Sequence, residues 1–184
     1  MNILVILHNN FNETELVSTI AVLSKTNKCY FTYYNPDYKM ITGSNNLVKI
    51  ETVNEISIDD YDAVFIPGGP GAQLLRHDST SLSIIKKFKN KKIWAICDAP
   101  NVLYEHKIIS DTQNYSSFPS IGENKSFDSC GKNRNDDYVS FDNSIFELIT
   151  GKCAGASVDF SLKIVEINFD KETFEKIRYN FLTK

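Results

Sequence analysis

Three short, unbroken runs of apolar residues constrain this chain most: Ile3-Leu4-Val5-Ile6-Leu7, Ala63-Val64-Phe65-Ile66 and Ile93-Trp94-Ala95-Ile96. A strand with one wet face alternates apolar and polar residues, so runs without alternation belong to strands covered on both faces. Such strands need helices above and below, and the intervening segments supply them. Asn12-Glu13-Thr14-Glu15 offers a polar cap and an acidic first turn. Leu16, Ile20 and Leu23, flanked by Val17 and Ala21, then form an apolar stripe at spacings of three and four. The pattern predicts a strand near 29–34, short strands or loops near 39–41 and 47–50, and a helix near 81–88. A further helix is expected from 98 to about 107. Residues 113–137 are polar and rich in Gly, Asn and Asp, and read as a loop region with one short strand. Residues 138–141 and 145–149 flank Asp142-Asn143 as a hairpin, and 158–167 and 172–181 predict two closing helices. With no repeat and no linker, residues 1–184 are expected to form one α/β domain around a mainly parallel sheet.

Apolar residues at 42% and charged ones at 23% suffice for a core and exclude a disordered chain. No apolar run approaches the roughly 18 residues that cross a bilayer. The first strand meets His8-Asn9-Asn10 too early, and lacks the basic start, for a signal peptide. A cytoplasmic protein without membrane contact is the expectation. The net charge of −3, with Arg only at 76, 134 and 178, argues against a nucleic-acid partner. The cluster Lys86-Lys87-Phe88-Lys89-Asn90-Lys91-Lys92 reads as the solvated end of a helix, an anion site being the alternative. Cysteines at 29, 97, 130 and 153 form no C-x-x-C and no ligand spacing with the three histidines, so neither metal nor cofactor is expected.

In open α/β sheets, sites form beyond the carboxyl ends of the strands. Segments 8–15, 67–72 and 97–100 converge there. Cys97 ends a strand and opens a helix, where backbone amides and the helix dipole favour a thiolate; a buried structural cysteine is the alternative. Pro67-Gly68-Gly69-Pro70-Gly71 is too short for a phosphate loop and lacks its lysine. Its amides suit an oxyanion site, or its glycines simply make a tight turn. Glu15, if buried beside a thiolate, would hold its proton and donate a hydrogen bond to sulfur; otherwise it is an exposed first-turn carboxylate.

Glu15 in Asn12-Glu13-Thr14-Glu15, the turn Ile66-Pro67-Gly68-Gly69 and Ala95-Ile96-Cys97-Asp98-Ala99-Pro100 together resemble the ThiJ/PfpI superfamily. So does Gly151-Lys152-Cys153-Ala154-Gly155-Ala156-Ser157, leading into Val158-Asp159-Phe160. The resemblance is to the branch that includes the parkinsonism-associated deglycase-like protein, and it runs over nearly the whole chain. It implies a flavodoxin-like three-layer sandwich, a homodimer, and Cys97 as nucleophile on a strained elbow. Glu15 would match the protonated glutamate that holds the thiolate or its sulfinate, and the amides near Gly69 and Asp98 the oxyanion site. The implied activities are cofactor-free glyoxalase or deglycase chemistry on a small carbonyl, or oxidation sensing and chaperone action at Cys97. An inert member of the family is the third reading.

Two departures bear on the chemistry. Where a branch of the family carries a histidine before a proline, this chain has Phe118-Pro119. Where the peptidase branch has histidine after the nucleophile, Asp98 stands, which argues against peptidase activity. Asp98 would repel a thiolate, cap the helix, or serve as a surrogate acid–base. His8 either lines the pocket or is an ordinary loop histidine, His77 reads as surface, and His106 lies two turns down the helix from Cys97. By the resemblance Cys153 approaches the nucleophile, as a resolving thiol or as packing. Cys29 and Cys130 read as strand interior and loop.

Overall fold

The apolar runs become the middle of a six-stranded sheet, in a computed structural model that describes residues 1–119 and 131–183. In chain order the elements are β1 (Asn2–Ile6), α1 (Glu13–Ser24), β2 (Tyr30–Tyr34), β3 (Met40–Thr42), β4 (Lys49–Glu51) and β5 (Ala63–Ile66). Then follow α2 (Gly71–Leu75), α3 (Ser79–Lys86), β6 (Lys92–Ile96), α4 (Ala99–Glu105), β7 (Tyr115–Ser116) and β8 (Arg134–Asn135). The chain closes with β9 (Val139–Asp142), β10 (Glu147–Gly151), α5 (Ser157–Asn168) and α6 (Lys171–Leu182). The main sheet runs β2-β1-β5-β6-β10-β9, parallel throughout except for the antiparallel β9–β10 hairpin.

The period of two along each strand divides the core into two layers. Ile3, Val5, Ala63, Phe65, Trp94 and Ile96 pack on one face with Leu16 and Leu23 of α1, Phe160 and Val165 of α5, and Ile177 of α6. Leu4, Ile6, Val64, Ile66, Ile93 and Ala95 pack on the other with Leu75 of α2, Ile85 of α3 and Val102 of α4. This is the expected flavodoxin-like sandwich of helix, sheet and helix. After β1 the chain first winds outward to β2, then returns across β1 to β5. The loops leaving β1 and β5 therefore part at a switch of winding direction, where a crevice opens.

Three local expectations change. The segment read only as a turn contains α2, a five-residue helix whose Pro-Gly start carries no helical periodicity. The region 113–137 holds two short strands among its described residues, not one: Tyr115 and Ser116 pair in parallel with Arg134 and Asn135. Pairs this short leave no sequence period to detect. Cys130 lies outside the described residues. The lysine cluster is not merely a solvated helix end. Lys89 donates to the Lys107 carbonyl, Lys91 to the carbonyls of Ile58 and Tyr61, and Lys92 pairs with Glu147. Among the described residues no helix is long and apolar enough to cross a membrane.

Candidate active site

The loops after β1, β5, β6 and β10 enclose a cavity of about 540 Å³, its wall including Asn12, Glu15, Gly69, Cys97, Phe118 and Cys153. Cys97 follows β6 directly and has φ of +65°, a left-handed conformation that costs a residue with a Cβ roughly 1–3 kcal/mol. Two hydrogen bonds hold it there. Its N–H donates to the Gly151 carbonyl and its carbonyl accepts from Phe118 N–H, both at 2.8 Å. The result is an elbow that turns the thiol out of the sheet and into the cavity. Gly68 packs beneath the elbow: a Cβ there would come within 2.7 Å of the Cys97 Cβ and 2.8 Å of the Ile96 carbonyl.

Glu15 reaches the same point from the first turn of α1 and is fully buried. Its Oε2 accepts from Gly68 N–H at 2.7 Å. Its Oε1 is buried without a hydrogen-bond partner among the described residues, although the carboxyl is coupled to the Cys97 sulfur. Burial pushes the Glu15 carboxyl up to about 7, against downward pulls from Gly68 N–H and Cys97. Burial also pushes the Cys97 thiol up, and a charged Glu15 adds to the effect, while the amides of Gly69 and Asp98 favour the thiolate. Two anions cannot share this pocket, so the pair carries at most one negative charge near neutral pH. With the proton on Glu15, the carboxyl becomes a donor facing sulfur and the two amides face the thiolate. Burial outweighs the helix-dipole argument for a free thiolate, so a thiolate at Cys97 requires a neutral Glu15.

Asp98 is neither the helix cap nor a free acid–base group. It occupies the N-cap position of α4 but makes no side-chain cap hydrogen bond. Its carboxylate is instead clamped by Arg76, with Nη1–Oδ2 at 2.7 Å and Nη2–Oδ1 at 3.0 Å. Gln73 Nε2 and Asn101 Nδ2 add donors at 2.8 and 3.0 Å. Arg76 also grips Glu105 through Nε at 2.8 Å and Nη2 at 3.1 Å. The clamp offsets the charge beside Cys97 and occupies both carboxylate oxygens. Sequence reading missed Arg76, Gln73 and Asn101. The available signals were the scarcity of arginine and the spacing of three between Asp98 and Asn101 on one helix.

The remaining candidates separate. Phe118 stands at the mouth, 45% exposed, so no imidazole occupies that place. Cys153 lines the same cavity as Cys97. His8 does not: it points to the opposite face from Leu7, toward the start of α3. There it meets Asp78 Oδ2 at 2.9 Å in a separate depression of about 320 Å³. His77 and His106 also lie outside the Cys97 cavity. No group of three or more His, Cys, Asp or Glu side chains among the described residues is arranged to hold a metal ion.

The elbow, the buried glutamate and the two-sided sheet coincide with a family match. A model of the DJ-1/PfpI family fits residues 1–167. The chain belongs to the DJ-1/PfpI family. One relative is the uncharacterized protein MG029 of Mycoplasma genitalium, 38% identical over 167 residues, or 89% of this chain and 86% of the relative. Another is protein/nucleic acid deglycase 2 of Escherichia coli, 24% identical across 58% of this chain and 65% of that protein. Among solved structures, oxidized Toxoplasma gondii DJ-1 superposes with a TM-score of 0.81 at 25% identity, covering 98% of this chain and 97% of that one. The match thus covers every element that builds the cavity, and only Asn168, the last residue of α5, and the segment with α6 lie beyond it.

Proposed function

We propose that this DJ-1/PfpI protein removes small reactive carbonyls by cofactor-independent glyoxalase- or deglycase-type chemistry at Cys97, as a cytoplasmic homodimer. The observation that carries the reading is the buried Glu15 beside Cys97, its carboxyl raised to about 7, in a cavity large enough for a small dicarbonyl. A group titrating near neutral pH can both give and take a proton. The Cys97 thiolate adds to the aldehyde carbon of a substrate such as methylglyoxal, and the new oxyanion rests on the amides of Gly69 and Asp98 and takes a proton from Glu15. Glu15, now a carboxylate, removes the C–H proton of the hemithioacetal to give an enediolate and returns it to the neighbouring carbon, while the hydroxyl proton passes to the adjacent oxygen and a thioester results. Water cleaves the thioester to lactate and the thiolate, and a proton released in that step restores neutral Glu15. The existence of relatives named deglycases supports the carbonyl class.

The test is lactate formation from methylglyoxal by the intact chain, Cys97→Ala and Glu15→Gln. Both variants should lose at least about a hundredfold in turnover. Equal rates in the intact chain and Cys97→Ala would overturn the reading. Phe118, in place of an imidazole, favours a second event at the same sulfur: oxidation of Cys97 in a sensing or protective role, which needs the thiolate and Glu15 but no further base.

A further inference from the structure

We propose that Cys153 is the resolving thiol of Cys97, so that the cavity supports a reversible two-cysteine oxidation by a hydroperoxide. The proposal rests on Cys97 as the reactive nucleophile and adds a second sulfur to its site. Its basis is placement. Both cysteines line one cavity. Cys153 lies two residues beyond Gly151, whose carbonyl already binds the Cys97 N–H at 2.8 Å. Two residues of extended chain span only about 7 Å, so the second thiol is tethered beside the elbow. Cys153 also precedes the short turn Ala154–Ala156 with extended backbone, φ −162°, outside α5 and only partly buried. Cys29 cannot compete: it precedes β2 at the amino ends of the strands, and its sulfur accepts a hydrogen bond from Thr26 Oγ1 at 3.4 Å.

The chemistry balances in two steps. The Cys97 thiolate attacks a peroxide oxygen; an S–O bond forms, the O–O bond breaks, sulfur loses two electrons and the leaving alkoxide or hydroxide takes a proton. The Cys153 sulfur then attacks the Cys97 sulfenic acid. An S–S bond forms, the S–O bond breaks, and hydroxide leaves as water with the proton that Cys153 gives up. In sum, two thiols and one hydroperoxide yield a disulfide, an alcohol or water, and a water molecule. A small dithiol reverses it. Without Cys153, a second peroxide would carry the sulfenic acid on to the sulfinate.

The experiment treats the dilute full-length chain with graded hydrogen peroxide and maps the products by peptide mass spectrometry, beside Cys153→Ser, Cys153→Ala and Glu15→Gln. The intact chain should give a linked peptide joining residues 97 and 153 within one chain, lost on addition of dithiothreitol. Both Cys153 variants should shift the product to Cys97 sulfinate. Sulfinate in the intact chain at the same dose as in the variants, with no linked peptide, overturns the proposal and leaves Cys97 reactive. A link from Cys97 to another cysteine, or between two chains, also overturns it. A Cys97 that stays reduced while other cysteines oxidise removes both this proposal and the reading of Cys97 as nucleophile. The linked peptide is read in the unmutated protein, so misfolding of a variant does not blunt the test.

Discussion

At the residue scale, the charge beside Cys97 is decisive. A bare carboxylate at Asp98 would work against a Cys97 thiolate, but the bidentate Arg76 contact offsets it and ties it to Glu105. All three groups are largely buried, and removing one side of such a cluster leaves uncompensated charge. Arg76→Met should therefore destabilise the fold by about 3–5 kcal/mol in urea unfolding and slow alkylation of Cys97. A stability change near zero would mean that solvent already screens the two carboxylates. Phe118 invites the opposite experiment. Its backbone is held by Cys97 and Asn101 while its ring stands half in solvent, so Phe118→His should fold normally. An added imidazole at the mouth should raise methylglyoxal turnover by up to about a hundredfold; an unchanged rate would show that Glu15 alone handles the protons. The strand-end and helix-start positions of Cys97 and Glu15 could be read from the sequence, but residue pattern alone left each a structural alternative, and it was the family resemblance that set them together. Arg76 was not, since its partners lie 22 and 29 residues away and only the packing of α2 against α4 joins them.

At the element scale, the site depends on a turn that has no room. The Gly68 amide binds Glu15, its carbonyl accepts from Asn12 N–H at 3.1 Å, and its missing side chain leaves space for the elbow. Gly68→Ala should cost roughly 1–3 kcal/mol through overpacking. It should also abolish the preference of peroxide for Cys97 over Cys29, because the elbow must shift to admit the methyl group. Retained selectivity would show that the elbow tolerates movement. Asn12 links the same two elements, capping α1 through Glu15 N–H at 3.3 Å; Asn12→Ala should cost about 1 kcal/mol and loosen Glu15. The buried strands and long helices could be read from apolar period and caps. Other short pieces could not: α2 starts in Pro-Gly, and β7 and β8 take their order from contacts such as Ser116 N–H to Thr150 Oγ1 at 2.8 Å.

At the scale of the whole molecule, two carboxyls, one in the site and one outside it, make the fold pH-dependent with opposite sign. Burial raises Asp78, but hydrogen bonds from His8 and Ser81 overcome this and bring it to about 2, below its ordinary 3.8. Its contribution is present above 3.8 and is lost as pH falls through about 2. Burial of Glu15 works the other way. Between 4.5 and about 7 the folded chain holds a proton that the unfolded chain has released, so stability falls as pH rises through that window. The full difference amounts to about 3 kcal/mol. The fold should therefore be most stable near pH 4 to 5 and weaker at neutral pH, where the proton on Glu15 is most useful to Cys97. Glu15→Gln removes the ionisation and keeps the volume. Urea unfolding at pH 4.5 and pH 8 should show the intact chain losing about 3 kcal/mol between the two, and the variant losing little of it. At pH 8 the Glu15→Gln variant should then be the more stable protein, as expected where a fold keeps a buried acid at the expense of stability. Parallel pH slopes in the two proteins would mean that Glu15 titrates near its ordinary value in the fold, and the neutral carboxyl facing sulfur would have to be abandoned.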